Sequence, residues 1–127
     1  MTTIKGLKYS IVMARDYKKM KIWYSESLGL EIADKDDDGG WVTFRFPDGG
    51  SELAIHTIPS TVPETAGKTA IVPCMEVADI HEAVKELKGR GVDFVRDVHE
   101  ATGNVLLANF TDPEGNLLQL YQRAGGF

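Results

Sequence analysis

The sequence of 127 residues contains one cysteine, three histidines and five prolines, and it has no long apolar run. Because Cys74 is alone, no internal disulfide can form, which suits a reducing compartment. No apolar stretch approaches the roughly 20 residues that a membrane-spanning helix needs, and Met1–Lys5 do not open a secretory signal. We therefore expect a cytoplasmic protein that folds by burying its own core.

Basic clusters are scarce as well. The 14 Lys and Arg residues are outnumbered by 19 Asp and Glu residues, and the densest basic segment is only Lys18–Lys21. A net charge of −5 does not attract the phosphates of nucleic acid or the surface of an anionic membrane, so neither is expected as a partner. Glycine-rich phosphate-binding loops are also missing from the sequence.

The remaining pattern is that of a packed domain in which one order of elements occurs twice. The first half is predicted to contain a strand, a helix and three strands, at residues 7–13, 16–28, 30–33, 41–46 and 52–58. The second half repeats that order at residues 70–77, 79–89, 92–95, 105–110 and 116–122. A Pro/Thr/Ser-rich linker at 59–68 separates the two halves.

The two halves also match residue by residue. Arg15-Asp16 before the first helix matches Ala78-Asp79 before the second, and both helices end at a glycine, Gly29 and Gly91. Such units bury their apolar faces by pairing. We therefore predict one α+β domain over residues 1–127, built from two βαβββ units at about 5–58 and 69–123, with curved mixed sheets around a cavity.

Residues 12–16 with 23–31, and residues 111–121, resemble the vicinal oxygen chelate superfamily. That superfamily includes glyoxalase I, extradiol dioxygenases, fosfomycin-modifying enzymes and bleomycin-binding resistance proteins. The resemblance implies the glyoxalase/bleomycin resistance-like fold and a homodimer. Its enzymes hold one divalent metal through the first and last strands of each unit, and those positions are here Tyr9, Ala54, Val72 and Gln119. Because these side chains are poor ligands for a hard cation, we expect no metal and no other cofactor.

A strand exposes alternate residues on one face, and the cavity-facing positions can be counted on that basis. The predicted ligand-binding residues are Tyr9, Met13, Trp41, Ala54, His56, Val72, Cys74, Glu76, Gln119 and Tyr121. This set is mostly apolar with a few polar groups, which suits a small organic ligand.

Among the histidines, His56 is the candidate catalytic group, because imidazole titrates near neutral pH; the alternative is a histidine at the rim of the sheet. We expect His81 and His99 to be solvated, the latter in a connection between strands. For Cys74 we favour a small buried residue over a reactive thiol. Trp23 is expected to pack in the core, and Trp41 to reach a ligand.

The segment Asp34–Gly39 copies the opening of a calcium-binding EF-hand loop. The twelfth position of such a loop requires a bidentate glutamate, and that position is Arg45. The flanking sequence also favours strands over helices. The segment is therefore predicted to be a charged hairpin turn.

Three functions follow from these observations. The leading hypothesis is a metal-free protein that binds, and sequesters, a drug-like molecule. The second is a glyoxalase-type lyase or isomerase that uses a relocated metal with His56, or metal-independent acid–base chemistry through His56, Glu76 or Tyr9. The third is a non-catalytic domain for protein association.

Overall fold

The computed structural model describes residues 7–57, 71–101 and 104–123. They fall into two compact units, one formed by residues 7–57 and the other by residues 71–101 and 104–123. The first unit contains β1 Tyr9–Ala14, α1 Tyr17–Ile22, β2 Glu31–Asp36, β3 Trp41–Arg45 and β4 Glu52–Thr57. The second contains β5 Cys74–Glu76, α2 Ile80–Gly89, β6 Asp93–Ala101, β7 Val105–Thr111 and β8 Leu117–Arg123. The predicted linker at 59–68 lies outside the described residues.

Each unit carries one four-stranded mixed sheet, and the two sheets have the same topology. The strand orders are β1-β4-β3-β2 and β5-β8-β7-β6. In each sheet the first and last strands of the unit pair in parallel, while the other pairs are antiparallel. The predicted arrangement of two tandem βαβββ units is thus confirmed.

The core of the first unit lies between α1 with the turn that follows it and one face of the sheet. Asp16 begins the helix, because its carboxylate accepts a hydrogen bond from the Lys19 backbone N–H at 3.1 Å. Tyr24 stacks on Phe44 of β3, with ring centroids 6.1 Å apart, and neither residue has exposed surface. Burying one such ring contributes roughly 1.5–3 kcal/mol, so this face holds the unit together.

A π-helical turn, Trp23–Ser27, continues α1 directly. The Leu28 backbone N–H donates to the Trp23 carbonyl at 2.9 Å, a bond that closes over five residues instead of four. Gly29 then ends the helix with φ at +83°, a conformation that glycine adopts without steric cost.

The second unit is built in the same way. The Asp79 carboxylate caps α2 by accepting from the Glu82 backbone N–H at 3.2 Å. Ile80, Val84 and Leu87 form the buried stripe of α2, at the spacing of one helix face. α2 contacts β6, β7 and β8, and the buried residues of the last two strands are Ala108, Phe110, Leu118 and Leu120.

Three strands differ from their predicted bounds by three or more residues at one end. β2 continues to Asp36, beyond the expected end at residue 33, because its polar residues occupy an edge strand whose side chains face solvent. β6 runs to Ala101, so His99 lies in a strand and is half-buried, where a solvated connection was expected. β5 is only three residues long, which leaves Val72 outside any strand. None of the described helices has the length and apolar character to cross a membrane.

Candidate functional site

The strands of the first sheet present a second face, away from α1, and several predicted site residues lie on it. Ladder partners in a sheet share a face, and β1 pairs with β4 so that Ile11 lies beside Ala54 and Met13 beside His56. β3 places Trp41 beside His56 on the other side of β4. The alternation of the strands therefore brings Met13, Ala54 and His56 to one face, as predicted. Trp41, which was expected to reach a ligand because it lies beside a turn, is on the same face.

Three half-buried rings on this face form what we call the ring cluster: Tyr9, Trp41 and His56. Trp41 lies in the middle, with its ring centroid 5.4 Å from that of Tyr9 and 5.4 Å from that of His56. Both contacts are edge-to-face, at 79° and 71°. This geometry is the favourable one for aromatic quadrupoles. Ala54, on the same face, has no exposed surface.

The backbone of Gly40 fixes the histidine of the ring cluster. His56 Nδ1 lies 3.1 Å from the Gly40 carbonyl oxygen, and that oxygen also accepts from the Thr57 backbone N–H at 2.8 Å. Gly40 is buried and has φ at +69°, and a Cβ added there would lie 2.7 Å from Thr57 Cβ. Glycine is therefore required at this position.

The turn between β2 and β3 is held to α1 by polar contacts. Asp37 Oδ1 accepts from Lys21 Nζ at 2.8 Å and lies 2.9 Å from the Tyr17 hydroxyl, which also lies 2.9 Å from the Trp41 carbonyl oxygen. The hydrogen bonds from Lys21 and Tyr17 lower the pKa of the Asp37 carboxyl. Burial and the neighbouring Asp37 raise the pKa of the Tyr17 hydroxyl. The predicted charged hairpin is confirmed, although its turn covers only residues 37–40 because β2 runs to Asp36. Asp37 anchors the start of β3 to α1.

The second sheet carries polar groups on its corresponding face. Asn109 Nδ2 donates to Gln119 Oε1 at 3.2 Å, and Gln119 Nε2 donates to Cys74 Sγ at 3.4 Å. We call Asn109, Gln119 and Cys74 the amide row. Because the Gln119 amide accepts a hydrogen bond from Asn109 and donates one to Cys74, the orientation of its side chain is fixed.

The remaining predicted residues of the second unit extend this face. Glu76 is the ladder partner of Tyr121, two positions along from the pair Cys74 and Gln119. A hydrogen bond with Tyr121, aided by the charge of Glu76, raises the pKa of the exposed Arg123 guanidinium.

The ladders also show which positions of the two units are equivalent. Ile11 beside Ala54 in the first sheet corresponds to Cys74 beside Gln119 in the second, as the repeat alignment predicts. By the same count, Trp41 beside His56 corresponds to Leu107 beside Tyr121. The same strand arrangement thus carries a tryptophan and a histidine at these two positions in the first unit and a leucine and a tyrosine in the second.

Two sequence-based expectations are wrong. Cys74 is exposed, whereas we had favoured a buried residue; alternation assigns a side chain to a face but does not say what covers that face. Val72 precedes β5 and is 37% exposed, so it is not part of the predicted strand face. No sequence pattern predicted Gly40, Tyr17, Asp37 or Asn109 as site residues, because their contacts join residues that are far apart in the chain.

The residues at the family's metal positions do not fit a hard divalent cation. Tyr9 and Ala54 in the first unit offer one phenol, and Val72 offers no donor. The Gln119 amide already bonds to Asn109 and Cys74. Within residues 7–57, 71–101 and 104–123, no group of three or more His, Cys, Asp or Glu side chains is placed to hold a metal.

Comparison with known proteins gives one family and many similar folds. The model of the glyoxalase/bleomycin resistance protein/dioxygenase superfamily matches residues 6–120. A superfamily member from Sphaerobacter thermophilus DSM 20745 has a TM-score of 0.81 at 24% identity, over 95% of this chain and 99% of that one. TnmS3, an antibiotic binding protein from Streptomyces sp. CB03234, has a TM-score of 0.78 at 25% identity, over 98% and 100%. No curated protein matches the chain.

Proposed function

The chain belongs to the glyoxalase/bleomycin resistance protein/dioxygenase superfamily, and on that basis we propose that it is a binding protein for a small aromatic organic molecule and uses no metal. The observation that carries this proposal is the ring cluster. Tyr9 and His56 each contact Trp41, and all three rings are half-buried, so they combine apolar contact area with retained exposure.

Aromatic rings suit a flat ligand for two reasons. They bury a large area on contact, and their fixed planes lose little conformational freedom when a second ring stacks on them. The phenol of Tyr9 and the imidazole of His56 supply the few polar groups that orient a ligand in an otherwise apolar site. The similarity to TnmS3, which is described as antibiotic binding, supports a ligand of natural-product type.

The amide row supports a site without metal. In the superfamily, the position of Gln119 is usually a glutamate that binds the cation. Here a neutral amide stands there and donates to a thiol. Neither the charge nor the free oxygen that a divalent cation needs is supplied. We also propose a homodimer, which the resemblance to the superfamily supports, and a cytoplasmic location, which the single cysteine supports.

The test uses tryptophan fluorescence in a Trp23→Phe background, which leaves Trp41 as the only tryptophan. A panel of aromatic antibiotics and polyketides is titrated against freshly purified protein, with and without EDTA. We expect saturable quenching that EDTA does not change. Trp41→Phe should retain binding and Trp41→Leu should weaken it about tenfold or more, because a ring partner is lost.

Metal analysis of the same preparation provides the opposing outcome. Stoichiometric zinc, nickel, iron or manganese, whose removal abolishes ligand binding, would contradict the proposal. Equal affinities of the Trp41→Leu and parent proteins, both measured through the absorbance or fluorescence of the ligand because the variant lacks tryptophan, would show that ligands bind away from the ring cluster. Sedimentation velocity tests the dimer.

A further inference from the structure

We propose that His56 selects the ligand through an unprotonated Nε2, so that the preferred ligand is an aromatic molecule carrying a hydroxyl or N–H donor beside its ring. This inference rests on the proposed function and adds the chemical class of the ligand. The first step is the tautomer. A carbonyl oxygen only accepts, so the 3.1 Å contact with the Gly40 oxygen assigns the hydrogen of a neutral His56 to Nδ1.

The second step is that the carbonyl of Gly40 is fixed in place. It accepts from the Thr57 backbone at the end of the β3–β4 ladder, and the residue is buried with a positive φ that other residues adopt only at a cost. Rotation of this peptide would break the bond to Thr57. The acceptor that sets the tautomer is therefore part of the backbone and does not adapt to a ligand.

The third step is the position of Nε2 relative to the rings. The His56 ring is held at 71° to Trp41, with centroids 5.4 Å apart. A flat ligand in contact with Trp41 therefore has its edge within about one ring width of the imidazole. Among the described residues, Nε2 makes no hydrogen bond, and His56 is half-buried. A lone pair in this setting attracts a hydroxyl or N–H and repels a carbonyl or ether oxygen.

A matched pair of probes tests this selectivity. 2-Naphthol and 2-methoxynaphthalene share one ring system, but only the first can donate. Binding is followed at pH 7.5 by the shift of the Trp41 indole N–H signal in the Trp23→Phe background. We expect 2-naphthol to bind roughly three- to tenfold more tightly, the range that one added hydrogen bond gives.

The variant His56→Asn tests the role of Nε2 separately from that of Nδ1. Its amide N–H lies near the position of Nδ1 and can still donate to the Gly40 carbonyl, but no atom replaces Nε2. The preference for 2-naphthol should fall to about onefold, whereas the loss of the imidazole ring should weaken both probes by the same factor. A preference that persists in His56→Asn would overturn the inference, because the donor would then have another partner.

The outcomes also separate this inference from the proposed function. If both probes bind equally to the parent protein, the ring cluster is a binding site without the stated selectivity. If neither probe shifts Trp41, the proposed function fails together with the inference. The tautomer is measured independently in the parent protein by ¹⁵N chemical shifts of His56, so a poorly folded variant does not decide the question. A hydrogen on Nε2 in the neutral ring would overturn the proposal.

Discussion

Replacing Gly40 with alanine tests the part of the backbone that supports His56. An alanine at φ +69° carries about 1–2 kcal/mol of left-handed strain. Its Cβ would also lie 2.7 Å from Thr57 Cβ, and overpacking of this kind costs about 1–3 kcal/mol more. We expect Gly40→Ala to lower the free energy of unfolding by about 2–5 kcal/mol.

Gly49→Ala is the matched control. Gly49 has φ at +75°, but nothing lies within 4 Å of an added Cβ, so only the strain of about 1–2 kcal/mol remains. Urea denaturation and thermal melting measure the difference in stability between the two variants. At about 4 °C per kcal/mol for a domain of this size, Gly40→Ala should melt about 4–12 °C below Gly49→Ala. Equal melting temperatures would refute the steric argument, because the two variants would then share the strain alone.

Three further outcomes are expected. Hydrogen bonds from Lys21 and Tyr17 hold the pKa of the Asp37 carboxyl below its usual value of 3.8. Asp37→Asn should therefore lower the melting temperature at pH 6, and the difference from the parent protein should shrink as the pH falls below about 3.8. A difference that is constant with pH would contradict this. Phe44→Ala should lower the free energy of unfolding, measured by urea denaturation, by about 3–5 kcal/mol, because the ring is fully buried against Tyr24. A loss below 1 kcal/mol would mean that the helix does not cover this ring. The exposed Cys74 thiol should react with Ellman's reagent in the native state, stoichiometrically and without denaturant, and protection of the thiol would contradict its placement.

The fold was largely predictable, because it depends on signals that are local in sequence. Asp16 and Asp79 start helices by bonding to backbone groups three residues on, and Gly29 and Gly91 end them with positive φ. Strand bounds were less predictable. The polar end of β2 lies at a sheet edge, where the alternation of apolar and polar residues carries no information.

Only part of the candidate site was predictable. Alternation placed Tyr9 and His56 on one face of the first sheet, and the expectation for Trp41 followed from its position beside a turn. The bond from His56 to Gly40 spans 16 residues, and that from Tyr17 to Asp37 spans 20. Contacts of this kind depend on how strands register and how a hairpin folds back on a helix, which periodicity does not describe.

The π-helical turn accounts for a difference in length between the helical segments of the two units. Tyr17 and Ile80, at the starts of the two helices, lie 63 positions apart, whereas Gly29 and Gly91 at their ends lie 62 apart. The first copy therefore has one residue more between these points, and the widened turn at Trp23–Ser27 accommodates it. The extra residue would rotate every later residue of a regular helix by about 100°, and here it is confined to a single turn. Removing Ser25 should accordingly restore a regular α-helix and leave the downstream strands in register.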